Sequence, residues 1–205
     1  MSIVTYNNRS IANISAVPGA AKSLTHIKTL TASSSSTLSF VNGSSDVVLD
    51  STYPIYLFKF ISVHPSNNGV FFTINFRDGG SSYDATKTTT YFRAYHDEAD
   101  SATSLEYTAG SDLAQGTGVQ YISDDLGNGN DESTSGEIYL FNPSSTTFVK
   151  HFMAQSNTYH QSDYSVDVKV AGYCNVTAAI DAVQFAMSGG NIDAGTIKLY
   201  GLKDS

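Results

Sequence analysis

The chain has 205 residues and a formal net charge of −8, and 15% of its residues are charged, 40% hydrophobic and 12% aromatic. Its 29 serines and 20 threonines mean that hydroxyl and amide groups supply most of the polarity. This aromatic content excludes a disordered chain, and the low charge is atypical of a helical bundle. The 11 lysines and arginines are scattered singly. That scatter argues against a nucleic-acid partner, because binding to a phosphate backbone needs clustered cations.

The sequence predicts neither a signal peptide nor membrane insertion. The first residues, MSIVTYNNRS, contain no basic segment followed by an apolar stretch, and no apolar run is long enough to span a bilayer. The single cysteine, Cys174, cannot form an internal disulfide. Its position in a strand-like run predicts a buried, unreactive thiol.

Residues 1–23 are polar and small, contain Pro18 followed by Gly19, and keep no hydrophobic period of 2 or 3.6. We interpret them as an extended N-terminal arm, and residues 24–205 as a single domain. The arm would attach the protein to a neighbouring molecule. The residues expected to make this attachment are Thr5, Tyr6, Asn7, Asn8, Ile11, Ile14 and Val17.

Runs of β-branched and aromatic residues recur from residue 24 onward, separated by Gly, Asn, Asp, Pro and Ser. Alternation places Tyr56, Phe58 and Phe60 on one face of a strand and Lys59 on the other. No long amphipathic helix is predicted, although residues 177–187 have room for one helical turn. After a first strand at residues 24–31, about ten strands are predicted, at residues 37–41, 55–63, 70–76, 88–95, 119–123, 137–141, 147–155, 164–172, 182–187 and 196–200.

Many short strands without βαβ spacing predict an all-β protein, an antiparallel β-sandwich or barrel. Within that class we expect a jelly roll, because the strands are numerous and no Cys…Trp…Cys pattern indicates an immunoglobulin-like sandwich.

The densest polar cluster is an acidic loop at residues 124–132, in which carboxylates and amides alternate with glycines. These are ligands that calcium prefers. Leu126 stands where the EF-hand pattern needs an oxygen ligand, so a solvated hairpin loop is the favoured interpretation and calcium the alternative. The candidate metal ligands are Asp124, Asp125, Asn128, Asn130, Asp131 and Glu132.

A second cluster, Tyr95, His96 and Asp97, ends a strong strand and is followed by two more acidic residues. Capping of the strand end is the favoured interpretation. Metal binding, acid–base chemistry and contact with a glycan remain alternatives, the last because a tyrosine face stacks on sugar rings. The sequence leaves open whether His151 or His160 folds back onto this cluster.

No catalytic signature is present: the chain has no G-x-S-x-G, no phosphate-binding loop and no dinucleotide fingerprint. We therefore expect a protein that is not an enzyme and that needs no cofactor, with calcium in the acidic loop as the only exception considered.

Several stretches resemble a family of virion-associated proteins of about 200 residues from tailed bacteriophages of marine bacteria, including cyanophages. The resemblance covers nearly the whole chain, and its motifs are turn and strand signatures rather than catalytic ones. The stretches are TYNN at 5–8, SIAN at 10–13, LFKF at 57–60 with HP at 64–65, NFRDGG at 75–80, ATKTTT at 85–90, FNPS at 141–144 and SGGNIDAGTIKLYG at 188–201.

The resemblance implies a jelly-roll-like surface module, a homotrimer, attached to a phage capsid or tail by its N-terminal arm. Such a protein would be assembled in the host cytoplasm and exposed on the virion, as capsid decoration or cement or as part of the tail adsorption apparatus. A glycan-binding receptor module of a tail fibre is the alternative. A depolymerase acting on host glycan through Asp97 or Glu98 ranks third.

Overall fold

The computed structural model describes residues 24–203, and this part of the chain folds entirely into β-strands and loops. The predicted N-terminal arm lies outside the described residues. The twelve strands are β1 (Leu24–Thr31), β2 (Leu38–Val41), β3 (Ile55–Pro65), β4 (Phe72–Arg77), β5 (Lys87–Asp97), β6 (Thr103–Tyr107), β7 (Gln120–Tyr121), β8 (Thr134–Phe141), β9 (Lys150–His160), β10 (Tyr164–Cys174), β11 (Ala182–Met187) and β12 (Ile192–Leu202).

The strands form two antiparallel sheets of unequal width. The larger has eight strands in the order β1-β12-β3-β8-β9-β10-β5-β6, and the smaller has four in the order β2-β11-β4-β7. Buried side chains from both sheets belong to one hydrophobic core, as expected when two sheets pack face to face. The predicted all-β, antiparallel class is confirmed, and the two sheets indicate a sandwich.

Aromatic rings fill the space between the sheets. Phe58 of the larger sheet lies 5.3 Å from Phe40 and 5.6 Å from Phe185 of the smaller sheet, measured between ring centroids. All three are fully buried, and burying one such side chain stabilises the fold by about 1.5–3 kcal/mol. The predicted inward face of β3 is confirmed, and Lys59 on its other face pairs with Glu137 at 3.3 Å.

The chain between β6 and β8 covers the inner face of the larger sheet where the smaller sheet does not reach. Ile122 and Leu126 of this connection enter the hydrophobic core. Polar contacts hold it as well: the Tyr91 hydroxyl donates to the carbonyl oxygen of Ser123 at 2.9 Å, and the Ser156 hydroxyl donates to that of Ile122 at 2.7 Å. Because buried polar groups need partners, these bonds hold the long connection against β5 and β9.

Strand lengths differ from the sequence prediction where tertiary pairing extends a strand. β9 continues to His160 rather than to residue 155, since all eleven of its residues pair with β10. β6, a polar edge strand, was not predicted because its residues show no β-branched or aromatic run. No helical turn forms in residues 177–187: residues 177–181 are loop, and residues 182–187 form β11, as the strand prediction for them states.

Two buried lysines flank the buried Cys174. In the strand register, Cys174 lies opposite Lys87 of β5 on one side and opposite Lys150 of β9 on the other. The Lys87 ammonium donates to Asn75 Oδ1 at 2.6 Å and to the carbonyl oxygen of Ala85 at 2.7 Å. Burial lowers the pKa of Lys87 to about 8 and raises that of Cys174 to about 12, so the thiol stays protonated as expected.

The Lys150 ammonium occupies a cage of backbone oxygens that joins two loops. It donates to the carbonyl oxygen of Val176 at 2.8 Å and also to those of Ser145, Phe148 and Ala178. Four main-chain acceptors around one cation tie the loop before β9 to the loop after β10.

Lys87 makes stability depend on pH in a definite direction. Since its pKa falls from 10.5 to about 8 on folding, the unfolded chain binds more protons than the native one between those values, and stability rises with pH across that window. We expect the free energy of unfolding of the wild type, minus that of Lys87→Met, to increase from pH 8 to pH 10 in urea titrations. Other titrating groups are common to both proteins, so a constant difference contradicts the assignment.

Gly136 on β8 is required by close packing. A Cβ there would clash with the carbonyl oxygen of Gln155 and lie 2.7 Å from the Phe60 ring. We expect Gly136→Ala to lower the free energy of unfolding by about 1–3 kcal/mol. Gly110 has nothing within 4 Å of its ideal Cβ, so Gly110→Ala is the control and should stay within about 0.5 kcal/mol of the wild type. Equal stability of the two variants contradicts this packing.

Candidate binding surface

The outer face of the eight-stranded sheet, turned away from the smaller sheet, carries exposed large hydrophobic side chains. Strand alternation places them there, because their neighbours along each strand point into the core. Phe92 and Tyr107, in register on β5 and β6, pack edge to face at 5.1 Å and are 45% and 46% exposed. The other members of this set are Leu24, Ile61, Leu105 and Met153.

β9 forms the floor of a groove on this face, and we call it the outer groove. Every second residue of β9 is buried, so its other side chains point outward. From one end to the other, they are His151, Met153, Gln155, Asn157 and Tyr159. The groove therefore begins apolar and aromatic and ends in amide and hydroxyl groups.

The outward residues of β8 and β10 flank this floor in register. Tyr139 and Ala171 stand on either side of Met153, and Glu137 and Lys169 on either side of Gln155. At the apolar end, the rings of His151 and Tyr173 lie 6.1 Å apart. The groove is thus three strands wide and five rows long.

Four cavities lie in succession along this groove. One of about 310 Å³, beside Phe92, Tyr139 and Gln155, shares Met153 with one of about 510 Å³ near His151 and shares Gln155 with one of about 500 Å³ near Lys59. A fourth, of about 280 Å³, lies at the polar end. Neighbouring cavities share lining residues, so they adjoin one another along β9.

In the central rows of the groove, charges occur as pairs of opposite sign. Lys59 lies 3.3 Å from Glu137, and Lys169 lies 3.8 Å from Asp167. The Gln155 side-chain amide donates to Asp167 Oδ1 at 3.1 Å. All these groups are at least partly exposed, so they can exchange partners with a ligand at little cost.

The predicted glycan contacts divide between the two faces of the sheet. The Tyr95 ring points inward and stacks on Tyr164 at 5.4 Å. Asp97 accepts the backbone N–H groups of Ser101 and Ala102 at 2.8 and 2.7 Å and a bond from the Ser101 hydroxyl. These bonds lower the pKa of Asp97, with the Ser101 hydroxyl contributing most. Asp97 therefore shapes the turn between β5 and β6.

Three histidines considered in the sequence analysis, His96, His151 and His160, lie at different places around the sheet. His96 is outward and lines the cavity at the polar end of the outer groove. His160 does fold back toward the predicted cluster: it stacks on Tyr164 at 5.1 Å, and Tyr164 in turn stacks on Tyr95. His151 instead lies at the opposite end of the groove.

The acidic loop is held by contacts within the protein. The Asp124 carboxylate is 4% exposed and accepts a bond from Arg93 at 2.5 Å. Asp125 lies 3.7 Å from His160, and burial followed by the charge of Asp124 raises the pKa of Asp125. The Glu132 carboxylate accepts the backbone N–H of Gly129. Asp124 and Glu132 are thus bonded within the chain rather than turned toward a common centre.

Nothing in this arrangement supports calcium. Within residues 24–203, no three His, Cys, Asp or Glu side chains are grouped so that they could hold a metal ion. Asn128 donates to the carbonyl oxygen of Ser66 at 3.3 Å, while Asn130 and Asp131 are exposed.

The outer groove was not predicted from the sequence. The alternation of β9 was a signal for it, but the polar half of the strand, residues 156–160, was left out of the predicted strand. That half supplies Asn157 and Tyr159. The residues of β8 and β10 that lie beside them are known only from the pairing of the strands in the sheet.

Comparison with known proteins gives no relative: no protein family, no curated protein and no solved structure matches this chain. The resemblance to phage proteins therefore rests on the sequence motifs alone. Residues 24–203 contain no helix that is long and apolar enough to cross a membrane.

A substitution at Asp124 tests whether the acidic loop is structural or binds calcium. Removing its carboxylate leaves Arg93 with Glu106 as its remaining partner, so we expect Asp124→Ala to cost about 2–3 kcal/mol of stability. Asp131→Ala, in the same loop but exposed, should stay within about 0.5 kcal/mol. Thermal melting of the wild type should not change with millimolar calcium or EDTA. An increase in melting temperature with calcium that Asp124→Ala abolishes contradicts this account.

Proposed function

We propose that the sandwich is a jelly roll enlarged by two hairpins. The order β1-β12-β3-β8 in one sheet and β2-β11-β4-β7 in the other supports this topology. Along the chain, these eight strands alternate between the sheets, except that β4 and β7 are both in the smaller one. The remaining strands, β5 with β6 and β9 with β10, pair as hairpins and widen the larger sheet. Jelly rolls serve as viral capsid and lectin domains.

We propose that the protein is a non-enzymatic structural component of a tailed-phage virion, displayed on the particle exterior. The strand order carries this proposal, together with the sequence resemblance described above. Residues 1–23 attach the domain to a capsid or tail protein, and like copies associate as a homotrimer, since closed symmetry is usual for such assemblies. Decoration or cementing of the capsid and a place in the tail adsorption apparatus are the two locations proposed.

A second candidate function is recognition of a host surface glycan from the tail. The outer groove favours it, because the groove combines aromatic side chains with amide, carboxylate and hydroxyl groups on a surface that the smaller sheet leaves free. Several groups proposed for chemistry have structural partners instead: Asp97 shapes a turn and Asp124 pairs with Arg93. These contacts support a binding role rather than an enzymatic one.

The location is tested by electron cryomicroscopy of intact particles of the phage that encodes this chain. We expect copies of the domain on the particle exterior, in trimers, with residues preceding β1 in contact with a capsid or tail protein. Density on the capsid lattice supports decoration or cementing, and density at the tail supports adsorption. Particles that lack the chain contradict the proposal.

The same particles test the attachment role of the N-terminal residues. A phage whose copy of the protein lacks residues 1–17 should form particles without it. The purified truncated protein should melt at the wild-type temperature, since these residues precede β1. Incorporation at full occupancy contradicts the attachment role but not the location.

A further inference from the structure

The outer groove has the dimensions of a site for an extended polymer. The floor runs from His151 to Tyr159 along one uninterrupted strand, about 27 Å at about 3.4 Å per residue. Four cavities follow its whole length. A small metabolite would fill one cavity, whereas a chain molecule would contact all four.

The hydrogen-bonding pattern of the sheet excludes a peptide bound by strand addition. β9 lies between β8 and β10, and the main-chain groups of its central residues pair with both neighbours. Strand addition requires unpaired main-chain groups at a sheet edge. The groove therefore offers an occupant side-chain contacts only.

The electrostatics of the groove favour an uncharged occupant. The two pairs Lys59–Glu137 and Asp167–Lys169 cancel within the groove, and the whole chain carries a net charge of −8. A polyanion would be repelled at long range, most strongly at the polar end, where Asp97 and Glu98 line the fourth cavity. In the central rows each carboxylate already has a cationic partner, so a polycation gains little there.

The chemistry of the lining is that of a sugar-binding surface. Tyr139, Phe92 and Met153 offer flat or polarisable apolar surface to the C–H faces of pyranose rings. Gln155 and Asn157 present amide oxygens as acceptors, beside carboxylates and ammonium groups. Their amide nitrogens donate to Asp167 and to the Ser165 hydroxyl, exposed partners that a sugar hydroxyl can replace. This mixture matches sugar hydroxyls, each of which both donates and accepts.

We infer that the outer groove binds an extended, uncharged oligosaccharide that lies along β9. Its rings pack on the apolar half, and its hydroxyls bond to the row Glu137, Gln155, Lys169 and to Asn157. This inference rests on the proposed binding role of an exterior virion protein and moves the recognition site from the β5–β6 turn to the sheet face.

Native gel electrophoresis of the full chain through immobilised polysaccharide tests the ligand class. The probes are neutral dextran, galactomannan, glucomannan, xyloglucan and mixed-linkage β-glucan, with alginate and dextran sulfate as anionic counterparts. We expect at least one neutral polysaccharide to retard the protein and the anionic ones to leave its migration unchanged. Retardation by none of the neutral polymers, or by the anionic ones alone, overturns the inference.

A blocking variant tests the place of binding. Ala171 is exposed between Met153 and Thr90, so Ala171→Arg should fill the groove and weaken the gel interaction at least about tenfold. Ala109→Arg adds the same charge at an exposed loop position and should bind like the wild type. Both should keep the wild-type melting temperature. Unchanged binding by Ala171→Arg overturns the inference.

A side-chain truncation tests the hydroxyl contacts independently. Gln155→Ala combined with Asn157→Ala removes two exposed amides and should weaken binding, while Asn130→Ala, an exposed amide of the acidic loop, should not.

The alternative occupant of the outer groove is a second copy of this chain. Light scattering measures whether Ala171→Arg changes the oligomeric state. Dissociation of an oligomer by this variant identifies the groove as an interface between copies and overturns the inference. A particle that carries the protein while the groove binds no glycan refutes this inference alone and leaves the virion role intact.

Discussion

The fold depends on the burial of one sheet face of eight strands by a partner sheet of only four. Where both sheets are present, aromatic rings such as Phe58 and Phe185 pack together, and hydrophobic burial supplies the stability. Beyond the smaller sheet, the inner face of β9, β10 and β5 is covered by a long connection. It buries Ile122 and Leu126 and is held by hydroxyls and by the ion pair of Arg93 with the buried Asp124.

This unequal width explains why so many candidate functional residues are structural. Asp124, Asp97 and Tyr95 lie where loops must be fixed to the sheet, so their polar or aromatic groups are used within the protein. Two buried lysines have a similar role. The Lys87 ammonium joins the Asn75 side chain to the carbonyl oxygen of Ala85, and the Lys150 ammonium joins main-chain oxygens of two loops. The widening hairpin β9–β10 also creates the outer groove, because it adds a central strand whose outward side is free.

Much of the fold was predictable because strand periodicity is a local property. β1 and β11 begin and end at the predicted residues, and the inward face of β3 follows from alternation. β6 was missed and β9 was shortened because Glu106 and Asn157 have low strand propensity and their neighbours form no continuous β-branched or aromatic run. Pairing with neighbouring strands holds both segments. The contribution of neighbouring strands is not visible in the local sequence.

The sequence by itself determined the all-β class, the approximate strand positions and the burial of Cys174, because each follows from composition or from a period of two along the chain. Only the tertiary structure decided which strands are neighbours. The outer groove brings together residues 137, 155 and 169, which are far apart in sequence and adjacent only through the β8–β9–β10 register. The tertiary structure likewise decided that Asp124 of the acidic loop pairs with Arg93, because long-range packing selects the partner of a charge and the local sequence pattern does not.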